Sequence, residues 1–158
     1  MKLPTTNHKL QTNQGFTLLE ALLSIAAIGI ITGISIPVYQ SFQARNDLDI
    51  ATVEIAQSLR RAQTLSQAVD GDTSWGVYTQ SGSITLFKGA GFSLRDSSYD
   101  ETFNLPSGIT PSSASGNFWE VVFSKFTGLP QATGAATLTS NTNEMRSIKI
   151  NAKGMVNY

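Results

Sequence analysis

Residues 16–36 read FTLLEALLSIAAIGIITGISI, 21 positions with one charge, Glu20, ending at Pro37. As a helix this run rises about 31 Å, the thickness of a bilayer's hydrocarbon core. A run below about 18 residues would read as a buried helix; this one reads as a membrane span. Residues 1–15 carry Lys2, His8 and Lys9 and no acid. That bias keeps the short N-terminal flank in the cytoplasm and exports the body of the chain. The apolar run is too long for an ordinary secretory signal. Ala21, Ala26 and Ala27 lie inside it, where they serve helix packing rather than a signal cleavage site.

Glu20 sits four residues into the run. A carboxylate in a span costs about 2.5–3.5 kcal/mol on insertion scales. Two readings are open: an edge residue that snorkels to the interface, or an acid that meets a positive partner in an assembly. Gly29, Gly33 and Pro37 punctuate the second half of the run. Small residues allow close helix packing in membranes, and each also weakens the helix locally.

The hexapeptide Gly15-Phe16-Thr17-Leu18-Leu19-Glu20, following a short basic segment and followed by an apolar stretch and Pro37, resembles the processing site of type IV pilins and type II secretion pseudopilins. The resemblance implies cleavage between Gly15 and Phe16 by a prepilin peptidase on the cytoplasmic face, then N-methylation of Phe16. It also implies assembly roles for Glu20 and Pro37. The new Phe16 ammonium lies one helical turn from Glu20. If subunits stagger axially, Glu20 of one pairs with the Phe16 amine of the next, since a buried pair is far cheaper than either charge alone. In assembled pilins the Gly29–Pro37 stretch can lose helicity. The expected organisation is a cytoplasmic leader (1–15, removed), a transmembrane and assembly helix (16–36), an amphipathic continuation (37–69) and a β-rich head (70–158). The expected partners are other pilin or pseudopilin subunits, the prepilin peptidase, an inner-membrane assembly platform, and the lipid bilayer before assembly. The implied location is the bacterial inner membrane, crossed once with the N-terminus cytoplasmic, and then an extracytoplasmic filament.

After Pro37 no strong stop occurs before Asp70-Gly71-Asp72. Residues 17–68 are therefore read as one long helix, bent near Pro37. Phe42, Ile55, Leu59, Ala62 and Val69 form its apolar face, with Ile50 and Val53 extending it. Arg60-Arg61 reads as a solvated face. Beyond Gly71, short alternating runs between turn residues predict antiparallel strands at Trp75–Gln80, Ser83–Lys88, Asn117–Phe126, Ala135–Ser140, Met145–Asn151 and Met155–Tyr158. Ser81-Gly82 closes a tight hairpin, and Ala152-Lys153-Gly154 turns the last one. Residues 89–116 are expected to be a surface loop with a short strand at Thr102–Leu105. The fold class is α+β, a long helix packed on an antiparallel β head. Leu59-Arg60-Arg61-Ala62-Gln63, the Phe123–Gly128 element and the Arg146–Ile150 strand with its Lys153-Gly154 turn are similar to the GspH/FimT-type minor pilins. That likeness implies a two-sheet head.

Catalysis has little to work with. The chain has no cysteine and one histidine, His8, which excludes thiol catalysis, disulfides, Cys-ligated zinc and a His-dependent triad. Asp70-Gly71-Asp72 lacks the later ligands of a calcium loop and reads as a turn. Asp100-Glu101 are adjacent acids that rarely share a face. No enzyme activity, cofactor or metal is expected. Eleven basic residues balance eleven acidic ones, which excludes a polybasic nucleic-acid protein. Some FimT-like minor pilins take part in DNA uptake, which gives an alternative reading. Lys125, Arg146, Lys149 and Lys153 face Glu144 alone within 121–158 and are the candidate contacts to extracellular DNA. The plain reading of the same residues is surface charge guarding strand edges.

Overall fold

The computed structural model describes residues 15–158. The expected leader, apart from Gly15, lies outside them. The chain divides into two units, meeting between Val38 and Tyr39.

Helix α1 spans Leu18–Gln67 and continues through Pro37. It starts at Thr17, whose hydroxyl accepts the Glu20 amide at 3.2 Å and whose carbonyl accepts the Ala21 amide at 3.1 Å. Thr17 and Glu20 have the spacing of a capping box, and an acid in the first turn suits the positive end of the helix. In the N-terminal unit none of the described side chains of the helix is buried: Leu18, Leu19, Leu22, Leu23, Ile25, Ile28, Ile30, Ile31 and Ile34 are all exposed. Its two described hydroxyls turn inward. Ser24 donates to the Glu20 carbonyl at 2.8 Å and Thr32 to the Ile28 carbonyl at 2.7 Å. Polar groups satisfied within the helix are what an apolar solvent demands.

The C-terminal unit has a core. From α1, Leu48, Ala51, Ile55, Leu59 and Ala62 are buried, at the three- and four-residue steps of one helical face. Ile55, Leu59 and Ala62 are as expected. Phe42, Ile50 and Val53 are not: all three are exposed. Ile50 and Val53 fall about half a turn from the Leu48–Ile55 stripe, so a helix that buries one stripe must leave them outside. Val69 lies beyond the helix, at φ +57°.

Two four-stranded antiparallel sheets cover the buried face. The first has the order β3-β2-β1-β5, with β1 (Trp75–Gln80), β2 (Ser83–Lys88), β3 (Asp96–Asn104) and β5 (Phe118–Phe123). The second has the order β4-β6-β7-β8, with β4 (Thr110–Ser113), β6 (Gly134–Thr139), β7 (Met145–Ile150) and β8 (Val156–Asn157). Trp75, Val77, Ile84, Leu86, Trp119, Val121 and Phe123 enter the core from the first sheet; Ala136, Leu138, Ile148 and Ile150 enter from the second. The α+β architecture with an antiparallel head is thus as read from the sequence.

The segment 89–116 differs from expectation. It holds the nine-residue β3 and the four-residue β4, not a loop with one short strand. β3 is an edge strand on β2 whose residues are mostly polar and mostly exposed, so it lacks the apolar alternation that announces a half-buried strand. Backbone pairing makes it a strand. β4 carries Pro111 at the other sheet's edge, where a missing amide is tolerated. β5 also stops short of the expected Phe126, which turns at φ +69°.

The first sheet's outer face is covered by a short turn at Phe92–Leu94. Phe92 stacks on Tyr78, with ring centres 3.9 Å apart, and its amide donates to Glu120 at 2.8 Å. Arg95 lies over the Phe92 ring and pairs with Asp100 at 2.7 Å. Gly76 is required beneath this layer, because a Cβ there would stand 2.4 Å from the Phe87 ring.

Candidate processing and assembly site

Gly15, Phe16 and Thr17 precede the helix, and together with Glu20 they border one shallow hollow. The scissile bond expected between Gly15 and Phe16 therefore lies in non-helical chain just ahead of the cap. An extended segment can enter a peptidase cleft, whereas a helix would first have to unwind. Phe16 is 83% exposed. Glu20 follows within one turn of Phe16, as the spacing requires. No other charged residue occurs between Gly15 and Pro37. Gly29 and Gly33 open onto free space, with nothing that a Cβ would meet within 4 Å, which leaves flat helix surface for another helix to approach.

The helix has enough length and hydropathy to cross a membrane, and none of its apolar window is buried within the chain. A continuous apolar surface of this kind needs a cover that the described residues do not supply.

The four candidate DNA-contact cations do not form one free patch. Lys125 is bound to Asp72 and Arg146 to Asp49, the latter at 2.9 Å. Lys149 and Lys153 are exposed and have no ion pair among the described residues. Arg61, read as a solvated side chain, pairs with Glu101 at 2.6 Å, and Arg60 lies over the Tyr158 ring. Asp70-Gly71-Asp72 forms a short 3-10 turn with Gly71 at φ +66°.

The Lys125 ammonium donates a hydrogen bond to the Asp72 carboxylate and attracts it, holding that carboxyl below its ordinary value. The Ser98 hydroxyl and amide do the same for Asp96.

One structural centre was not visible in the sequence. Ser66, fully buried on the last turn of α1, accepts the Trp75 amide at 2.9 Å and donates to the Phe123 carbonyl at 3.1 Å. Its own carbonyl accepts the Phe126 amide at 3.1 Å. One turn earlier, Gln63 donates to the Gly128 carbonyl at 3.0 Å. Gly154 also approaches Gln63 so closely that a Cβ would fall 2.2 Å from its amide nitrogen. The three motifs Leu59–Gln63, Phe123–Gly128 and Lys153-Gly154 therefore meet at one place, where the helix end fastens both sheets. Their spacing in the sequence gives no hint of that contact.

The chain is 32% identical, over an alignment of 91 residues, to a fimbrial protein of Pseudomonas aeruginosa; a second fimbrial protein from the same organism matches equally well. The alignment covers 52% of this chain and 57% of the relative, so the chain spans little more than half the length of the curated relatives it matches. No protein-family model matches, and no solved structure does.

Proposed function

We propose that this chain is a type IV pilin-like structural subunit, held in the membrane by the first half of α1 and assembled into a filament through that same surface. The observation that carries the reading is that the described residues of the apolar stretch of α1 are all exposed, while the head has a buried core of its own. The head needs no help from the stretch, so the stretch serves something outside the chain. In the bilayer, lipid covers it. In a filament, the apolar faces of sister helices cover it. Similarity to fimbrial proteins supports the same reading.

Processing follows the same proposal. A prepilin peptidase removes residues 1–15, and Phe16 becomes a methylated N-terminus. Glu20 then pairs with the Phe16 ammonium of a neighbouring subunit, so an acid that is costly in a lone subunit sets the axial register in the assembly. Pro37 and the two glycines supply the local weakness that lets the helix adjust in the filament. The GspH/FimT subgroup is the proposed closer affiliation, supported by the meeting of its three motifs at the helix end.

Mass spectrometry of the protein from its native cells tests the processing. The expected mature species begins at Phe16 and carries one methyl group; an intact Gly15–Phe16 bond overturns it. For assembly, Glu20→Ala is expected to insert and be cleaved normally while its incorporation into sheared filaments falls sharply. Undiminished incorporation refutes the role of Glu20. Capture of extracellular DNA has less support, since Lys125 and Arg146 are occupied by Asp72 and Asp49.

A further inference from the structure

Five ion pairs in the head tie its charges to one another: Arg45–Glu144, Arg61–Glu101, Arg95–Asp100, Lys125–Asp72 and Arg146–Asp49. Asp96, Glu120 and Lys88 also have local partners, and Arg60 of α1 lies over the Tyr158 ring of its own chain. Among the described residues, the charges left over separate by sign. On α1, Asp47 and Glu54 are half-buried and have no ion pair. They stand seven residues apart on one helical edge, with the exposed Ile50 between them. Next to that edge, Val53 is exposed too. On the C-terminal hairpin of β7 and β8, Lys149 and Lys153 are exposed and unpaired. Beside them Met155 and Tyr158 are 56% and 58% exposed. Each patch joins unpartnered charge to exposed apolar side chains, and the two patches are opposite in sign.

From this match we infer that the C-terminal hairpin of one copy docks on the outer edge of α1 in a second copy. Lys153 meets Glu54 and Lys149 meets Asp47, and Met155 and Tyr158 cover Ile50 and Val53. The inference rests on the filament-subunit reading and adds the contact between heads. The two patches are different surfaces, so the contact is heterologous. Such a contact repeats from copy to copy without closing on itself unless the rotation happens to close a ring, which is the geometry a filament needs. Asp70, the head's other acid without an ion pair among the described residues, lies past the end of α1 and takes no part. The apolar side chains supply the burial; the charges fix which surfaces meet and in what register.

The absence of native cysteine makes the contact directly readable. Two differently tagged full-length subunits, one Glu54→Cys and the other Lys153→Cys, are co-expressed and the cells mildly oxidised. A disulfide-linked heterodimer in sheared filaments is expected. A control pair with Ser98→Cys, on the polar edge strand β3, in place of Lys153→Cys is expected to give none. Lys153→Glu is expected to lower incorporation, and Glu54→Lys in the same subunit to restore it. Restoration also shows that the variants fold. If wild-type subunits enter filaments and no heterodimer forms above the control, this docking is overturned and the filament reading stands. If wild-type subunits never enter filaments, both fall.

Discussion

Removing the Ser66 hydroxyl leaves the Trp75 amide and the Phe123 carbonyl without their side-chain partner in a dry interior. Ser66→Ala is therefore expected to cost about 1–3 kcal/mol, read as a lower midpoint in chemical denaturation. A buried serine on a helix looks in the sequence like any polar residue of an amphipathic turn, which is why it escaped notice. At Asp72 the effect is one of charge. Lys125 lowers the carboxyl below its ordinary 3.8, and a carboxylate lowered on folding adds stability that is present above its unfolded value and lost as pH falls through the folded one. The contribution thus persists at neutral pH and fades only below about pH 3.8. It is small, because Asp72 is open to solvent. Lys125→Met is expected to move the Asp72 titration upward in carboxyl-carbon NMR and to leave Asp96, held by Ser98, where it was.

Helix α1 sorts its apolar side chains by angle, and a pair of substitutions measures the sorting. Ile55 is fully buried and Ile50 half exposed. Ile55→Ala is expected to destabilise the head by about 2–5 kcal/mol, and Ile50→Ala by no more than about 0.5 kcal/mol; equal losses would mean the helix buries a different face. The sequence revealed the helix to within a residue at each end, because an apolar run long enough to span a bilayer leads into a stretch with no strong stop between Pro37 and Asp70. It revealed the inner face only in part, since Phe42, Ile50 and Val53 are as apolar as their buried neighbours. The β1–β2 hairpin was equally legible, through Ser81-Gly82 between two alternating runs. The edge strand β3 was not, because main-chain pairing leaves no trace in side-chain hydropathy. Of the candidate site, the Gly15–Glu20 segment was visible through its motif, whereas the acid partners of Lys125 and Arg146 lie 53 and 97 residues away.

At the scale of the molecule, the two units have opposite needs. The head encloses its own core, so a chain starting at Tyr39 is expected to be monodisperse in plain buffer and to unfold cooperatively. The full chain is expected to require detergent or lipid vesicles. Light scattering on both, with and without detergent, checks this; aggregation of the truncated chain would place part of the head's cover in residues 18–38. The second sheet adds a different demand. β8 pairs with β7 only at Lys149 and Ile150, so on that side the main chain of Met145–Ser147 has no neighbouring strand. Along this stretch α1 sets two ion pairs, Arg45–Glu144 and Arg146–Asp49. A bare flank is where a stray polypeptide can zip on and begin amyloid growth, and a fence of paired charges makes that first step unfavourable. Crowding thousands of such heads side by side is tolerable only while the fence holds. Strong brine, which screens it, is expected to shorten the protein's storage life well before it unfolds the fold itself.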